Sequence, residues 1–266
     1  MNVQSGAAEL SGARLHYEVA GSGQPLVLVH GLGLDLRMWD DQFTPLAHRF
    51  HVLRYDVRGY GQSTLPTTEP YSHADDLKGL LGYLGIAHTA LAGLSFGGRL
   101  AINFTLTYPE LVQRLILVDS GLNGYQYSPE WNGLWTQILT EAATRGPKAA
   151  NELWLRHPLF APAREQAAVA ARLTQMIADY SGWHWVHTDP VRWTEPPDNQ
   201  RLDQIHVPTL IVSGQRDLPD FHAIAALLQQ RIPQASTALL AQVGHMANME
   251  APTQFNHLVE SFLSAD

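Results

Sequence analysis

The chain has 266 residues, with 25 acidic side chains against 17 lysines and arginines, a formal net charge of −8; this gives no electrostatic footprint for nucleic acid or for an anionic membrane surface. Its 45% hydrophobic and 16% charged content is that of a globular protein long enough to bury a large core. With no cysteine, disulfides, thiolate catalysis and cysteine-held metal or iron–sulfur centres are excluded.

The opening residues, Met1-Asn2-Val3-Gln4-Ser5-Gly6, have neither a basic region nor an apolar run. No apolar stretch approaches the roughly 18 residues of a spanning helix, so a cytoplasmic protein is expected. Residues 7–20 carry a hairpin pattern, with Ser11-Gly12 as its turn and residues 14–19 alternating. Pro25–Val29 is continuously apolar, as a strand covered on both faces would be. It ends at His30-Gly31-Leu32-Gly33, and residues 39–50 follow as a helix candidate.

His51–Tyr55 is the next strand and runs into the turn-rich Asp56-Val57-Arg58-Gly59-Tyr60-Gly61-Gln62-Ser63. A helix from Ser72 or His73 to Leu84 carries Asp75 and Asp76 in its first turn, where negative charge complements the helix dipole. A short apolar run then ends in Gly93-Leu94-Ser95-Phe96-Gly97-Gly98, followed by helical composition from Arg99 until Pro109. This is strand, tight turn, helix, and the glycines flanking Ser95 are what a strained turn needs. Residues 114–119 form another buried strand. Strands and helices thus alternate with short connections, which argues for a parallel sheet with helices on both faces.

The alternation stops between Gly121 and Pro197, where only helical stretches are found, at residues 130–144, 147–156 and 163–180. Six of the seven tryptophans fall there, among them Trp131, Trp135, Trp154, Trp183 and Trp185. They either line an apolar pocket or pack the insertion onto the core. The pattern divides the chain into a core of residues 1–122 and 198–266 and a helical cap of residues 123–197. After Pro197 strands return at residues 208–214 and 236–240, and helices at 221–231 and 252–263.

Ser95, Asp217 and His245 each follow the C-terminal end of a predicted parallel strand, the edge where open α/β sheets bind ligands. Their chain order, Ser, Asp, His, is that of a nucleophile-elbow hydrolase. A serine hydroxyl is a poor nucleophile at neutral pH, so it needs an imidazole to take its proton. The imidazole in turn needs a carboxylate to fix its tautomer. Asp119 also ends a strand and is the reserve acid. His184 and His187 lack the further ligands that a metal site at helical spacing would need.

The chain resembles the α/β-hydrolase superfamily along its whole length. The resemblance is carried by His30-Gly31-Leu32-Gly33, residues 56–63, Gly93-Leu94-Ser95-Phe96-Gly97-Gly98, Gly214-Gln215-Arg216-Asp217 and Gly244-His245. It implies a mostly parallel eight-stranded sheet with a helical cap after the sixth strand. It implies Ser95 as nucleophile, His245 as general base and then acid, and Asp217 as the orienting acid. It also implies an oxyanion hole made by the backbone amides of Leu32 and Phe96, with no metal and no cofactor. Residues 34–40 and 52–56 look like the enol-lactonase and carboxylesterase branch. The expected substrate is a small, largely apolar ester or lactone, acyl-homoserine lactones included, held against the five tryptophans and Met246. A carbon–carbon bond hydrolase and a ligand-binding receptor retaining the fold are the alternatives.

Overall fold

The computed structural model describes residues 2–10 and 12–265; Ser11, half of the expected hairpin turn, lies outside them. The elements in chain order are β1 (Val3–Leu10), β2 (Ala13–Ala20), β3 (Pro25–Val29), α1 (Asp40–Leu46), β4 (His51–Tyr55), α2 (His73–Tyr83), β5 (Thr89–Leu94), α3 (Phe96–Thr107) and β6 (Val112–Val118). Helices α4 (Pro129–Arg145), α5 (Pro147–Leu155), α6 (Ala161–Arg164), α7 (Ala167–Asp179) and α8 (Trp183–Val186) follow. The chain closes with β7 (Thr209–Gly214), α9 (Pro219–Arg231), β8 (Ala235–Leu240), α10 (Ala247–Glu250) and α11 (Pro252–Ser264). Among the described residues no helix is long and apolar enough to cross a membrane.

The eight strands form one sheet in the order β1-β2-β4-β3-β5-β6-β7-β8. The β1–β2 and β2–β4 pairs are antiparallel and every pair from β4 onward is parallel. The apolar runs explain the order. β5 and β7 are buried at every residue, as inner strands covered by helices on both faces must be, while β1 at the edge is mostly exposed. Chain direction across the sheet reverses between β3 and β5, so the loops after these two strands flank the crevice where such sheets take ligands.

Two helices differ from expectation. The helix expected over residues 39–50 is a 3₁₀ turn, Leu36–Trp39, followed by α1, which stops at Leu46. Pro45 has no N–H to give the Asp41 carbonyl, and Asn256 Nδ2 donates to that carbonyl at 2.9 Å instead. The helix expected over residues 163–180 is broken into α6 and α7 at an extended Gln166. Tertiary anchors hold that break: Glu165 pairs with both terminal nitrogens of Arg216 at 2.6 and 2.7 Å, and Gln166 Nε2 donates to the Glu250 carbonyl at 3.2 Å. The helix after Ser95 begins earlier than its composition suggests, at Phe96. The one-turn helices α8 and α10 are too short to show a period in sequence.

Backbones approach closely at the turn around Ser95. A Cβ on Gly93 would lie 2.2 Å from the Gly97 carbonyl oxygen, and one on Gly97 would lie 2.2 Å from that of Val29. Both obstacles are backbone and cannot rotate away. Gly97→Ala is therefore expected to lower the unfolding free energy by about 3 kcal/mol, read from denaturant midpoints. An unchanged midpoint would mean that α3 shifts off the sheet freely.

Candidate active site

Ser95 joins β5 to α3 with φ 56° and ψ −114°, a strained backbone for a residue with a side chain. Its N–H donates to the Val118 carbonyl at 3.0 Å, and its own carbonyl accepts from Arg99 N–H at 3.0 Å and Gly121 N–H at 2.9 Å. These bonds over-determine the turn, which is how such strain persists in a folded chain.

The loops after β7 and β8 bring Asp217 and His245 together. His245 Nδ1 lies 2.8 Å from Asp217 Oδ2, and both side chains are essentially shut off from solvent. A hydrogen bond there fixes the Nδ1–H tautomer and leaves Nε2 as the free base. His245 Nε2 has no protein partner among the described residues. Asp217 Oδ1 accepts from the Leu218 N–H at 2.7 Å, so the carboxylate is held at both oxygens.

Asp119, just after β6, is the third member of this cluster. Oxygens of Asp119 and Asp217 and a ring nitrogen of His245 lie within 4.8 Å of one another. Asp119 Oδ1 accepts from the Gly214 N–H at 2.8 Å, and Oδ2 has no partner among the described residues. Burial, and then the nearby Asp217, push its carboxyl well above the usual carboxylate range. Both causes favour its neutral form, so the carboxyl holds its proton more tightly than an exposed one would.

A brace absent from the sequence reading is Glu250 on α10. Its carboxylate accepts from the Gly244 N–H at 2.7 Å and the Met246 N–H at 3.1 Å, clamping the backbone on both sides of His245. The four-residue spacing from Met246 to Glu250 was the only signal available. Burial raises its pKa, and the two donated N–H groups oppose that.

The glycine loop after β3 is organised by His30. This fully buried ring accepts from Val57 N–H at its Nε2, 3.0 Å away, which places the proton on Nδ1, 2.9 Å from the Gly31 carbonyl. Burial lowers its pKa, as suits a neutral brace. Asp56 accepts from Leu36 and Gln62 N–H, each at 2.8 Å, while Arg58 reaches past its own turn to form a two-pronged pair with Asp76 on α2 at 2.6 and 2.8 Å. Among the described residues, neither Leu32 N–H nor Phe96 N–H donates to a protein acceptor.

Helices α4–α8 lay an arc of aromatic rings beside these loops. From His245 it runs through Phe221 at 4.4 Å, Trp131 at 5.4 Å, His157 at 5.3 Å and Trp154 at 5.1 Å between successive centroids. Trp154 is buried against the glycine loop: a Cβ on Gly33 would meet its Nε1 at 2.9 Å. Trp185 is buried too and spends its Nε1–H on Asn151 at 2.6 Å, with Trp135 packed on it at 5.4 Å. Trp183 stacks outward on His187 at 4.8 Å, while Met246 is fully buried. The expected contact residues are therefore spread from the loops at the strand ends to the outside of the helical layer. His184 and His187 do not share a site: the first bonds Tyr180 Oη at 2.6 Å, the second the Trp183 carbonyl at 3.0 Å.

The profile describing the alpha/beta hydrolase fold matches residues 24–252. The chain resembles the enol-lactonase from Burkholderia xenovorans LB400, with a TM-score of 0.84, 29% identity, and 98% of this chain and all of that one covered. It is similar to a thermophilic esterase from Thermogutta terrifontis, with a TM-score of 0.82, 28% identity and 98% of both chains covered. It is 30% identical to a 2-hydroxy-6-oxononadienedioate/2-hydroxy-6-oxononatrienedioate hydrolase of Paraburkholderia phymatum, over 99% of this chain and 94% of that protein. The elbow between β5 and α3, the eight-stranded sheet and these likenesses together place the chain in the α/β-hydrolase fold family.

Proposed function

We propose that this hydrolase cleaves a small carboxylic ester or lactone through an acyl-enzyme, with Ser95 as nucleophile, His245 as base and then acid, and Asp217 as its orienting carboxylate. The observation that carries the reading is the buried 2.8 Å contact between His245 Nδ1 and Asp217 Oδ2, with Nε2 unpartnered. Ser95 Oγ attacks the carbonyl as its proton passes to Nε2. The oxyanion is received by the free N–H groups of Leu32 and Phe96, and the imidazolium then protonates the leaving alkoxide. Water repeats the sequence on the acyl-enzyme and frees Ser95. Residues 123–197 act as the cap that selects the substrate.

The dienedioate hydrolase relative favours a second reading, carbon–carbon bond cleavage by the same three residues. A fluorophosphonate probe and a panel of p-nitrophenyl acetate, p-nitrophenyl butyrate and simple lactones test the first reading. Labelling of Ser95 by peptide mass, together with turnover of the panel, is expected. Labelling without turnover of any ester or lactone would move the assignment to the second reading, and no labelling would remove both.

A further inference from the structure

The Phe96 side chain packs against Tyr60, His73 and Trp193, in a neighbourhood where several buried polar atoms have no partner among the described residues. Arg99 lies one helical turn beyond Ser95 on α3, and helical side chains lean back toward the helix N-terminus. Its guanidinium carbon sits 3.9 Å over the Trp193 ring, whose centroid is 6.5 Å from that of Phe96. One nitrogen, Nη2, donates to Asn123 Oδ1 at 3.2 Å, while Nε is buried with no partner. Among the described residues no carboxylate comes within ion-pair distance of it. The acidic side chains that it senses are engaged elsewhere: Asp198 with Asn103 and Thr194, and Asp189 with Tyr71 Oη and the Val191 N–H.

His73 is buried, and neither ring nitrogen has a partner among the described residues. Its centroid is 5.4 Å from Phe96 and 5.9 Å from Trp193. Tyr60 Oη is buried and unpartnered as well, on a ring 5.7 Å from Phe96. A buried cation without a counter-charge is costly, and unpaired buried donors add to that cost. Native chains keep such groups together where a ligand completes them. Stacking on Trp193 fixes the plane of the guanidinium, and the unpartnered Nε lies on the Nε–Nη2 edge with which arginine grips a planar two-oxygen anion.

We propose that Arg99, with His73 and Tyr60 beside it, forms a subsite for a carboxylate on the substrate. The ester or lactone cleaved at Ser95 then carries a free carboxylate a short spacer from its scissile carbonyl. This rests on the hydrolase reading above and narrows its substrate from a largely apolar ester to an acidic one. The net charge of −8 is compatible with it, because a single partly buried arginine gives recognition where the surface field does not.

The test compares monomethyl glutarate and monomethyl adipate with chain-matched neutral methyl esters in a pH-stat. The wild type is expected to favour the acidic esters in kcat/KM by about tenfold or more. Arg99→Gln is expected to reduce that ratio by about 10- to 100-fold, mostly through KM, the scale of a lost charge-assisted hydrogen-bonded pair, and Arg99→Lys to restore part of it. Glutarate binding to the Ser95→Ala protein, measured by calorimetry, reads the subsite without chemistry and is expected to weaken as much on adding Arg99→Gln. Cleavage of neutral esters with no preference for acidic ones would overturn the subsite and leave the esterase reading standing. Arg99-dependent glutarate binding with no ester turned over would do the reverse. If Arg99→Gln does not fold, the wild-type preference and the Arg99→Lys ratio decide.

Discussion

Ser95→Ala is expected to lower kcat for p-nitrophenyl butyrate by about 10⁴-fold or more, with circular dichroism and melting temperature close to wild type. The activity loss is expected because the proposed acyl-enzyme forms on the Ser95 hydroxyl, which alanine lacks. The residual rate is what the Leu32 and Phe96 amides and substrate binding supply without a nucleophile. Folding is spared because the turn is held by backbone: Ser95 N–H to Val118, and the Ser95 carbonyl to Arg99 and Gly121, none of which involves the hydroxyl. Alanine inherits the positive φ of 56°, so Ser95→Gly should melt higher than Ser95→Ala, since glycine takes that conformation without strain. Turnover within tenfold of wild type in Ser95→Ala would remove Ser95 from the chemistry.

Asp217→Asn is expected to cost about 10³- to 10⁴-fold in kcat, because an amide at 2.8 Å from His245 Nδ1 can donate to the ring, favour the wrong tautomer and leave the imidazolium without its counter-charge. Asp119 sets how far the loss goes. Its pKa is raised by burial first and by Asp217 next. Removing the Asp217 charge lifts the second of these, so Asp119 ionises at lower pH than before. Deprotonation adds negative charge beside the imidazole, so the residual activity of Asp217→Asn should increase as pH rises through the Asp119 pKa. The double variant Asp119→Asn/Asp217→Asn should lose that slope and at least about tenfold more rate, a non-additive result of the kind expected for groups acting as a unit. Equal profiles for single and double variants would confine Asp119 to holding the Gly214 N–H.

The strands were the most legible part of the chain. Pro25–Val29 runs from end to end as its apolar stretch does, because an inner strand between parallel neighbours is covered on both faces and its residues report that burial. Helix ends were less legible. Residues 46–50 continue a helical composition, yet α1 stops at Leu46, with Asn256 taking the Asp41 carbonyl that Pro45 leaves free, and α7 starts anew where Glu165 and Gln166 are pulled toward Arg216 and Glu250. The deciding partner in each case lies more than 50 residues away along the chain, beyond any local pattern.

The same division runs through the site. Ser95, Asp217 and His245 could be proposed from sequence as one set because each ends a strand inside a short motif, and parallel strands bring their ends to one edge whatever the loops do. The fold family was determined at that level. Only the tertiary structure decided which groups are charged and which are satisfied. The raised pKa of Asp119, the clamp of Glu250 on the His245 loop, and the unpartnered Arg99 Nε and His73 ring arise from burial and from distances between separate elements. Desolvation acts on a group's surroundings in space, and a linear sequence carries no record of what those surroundings will be.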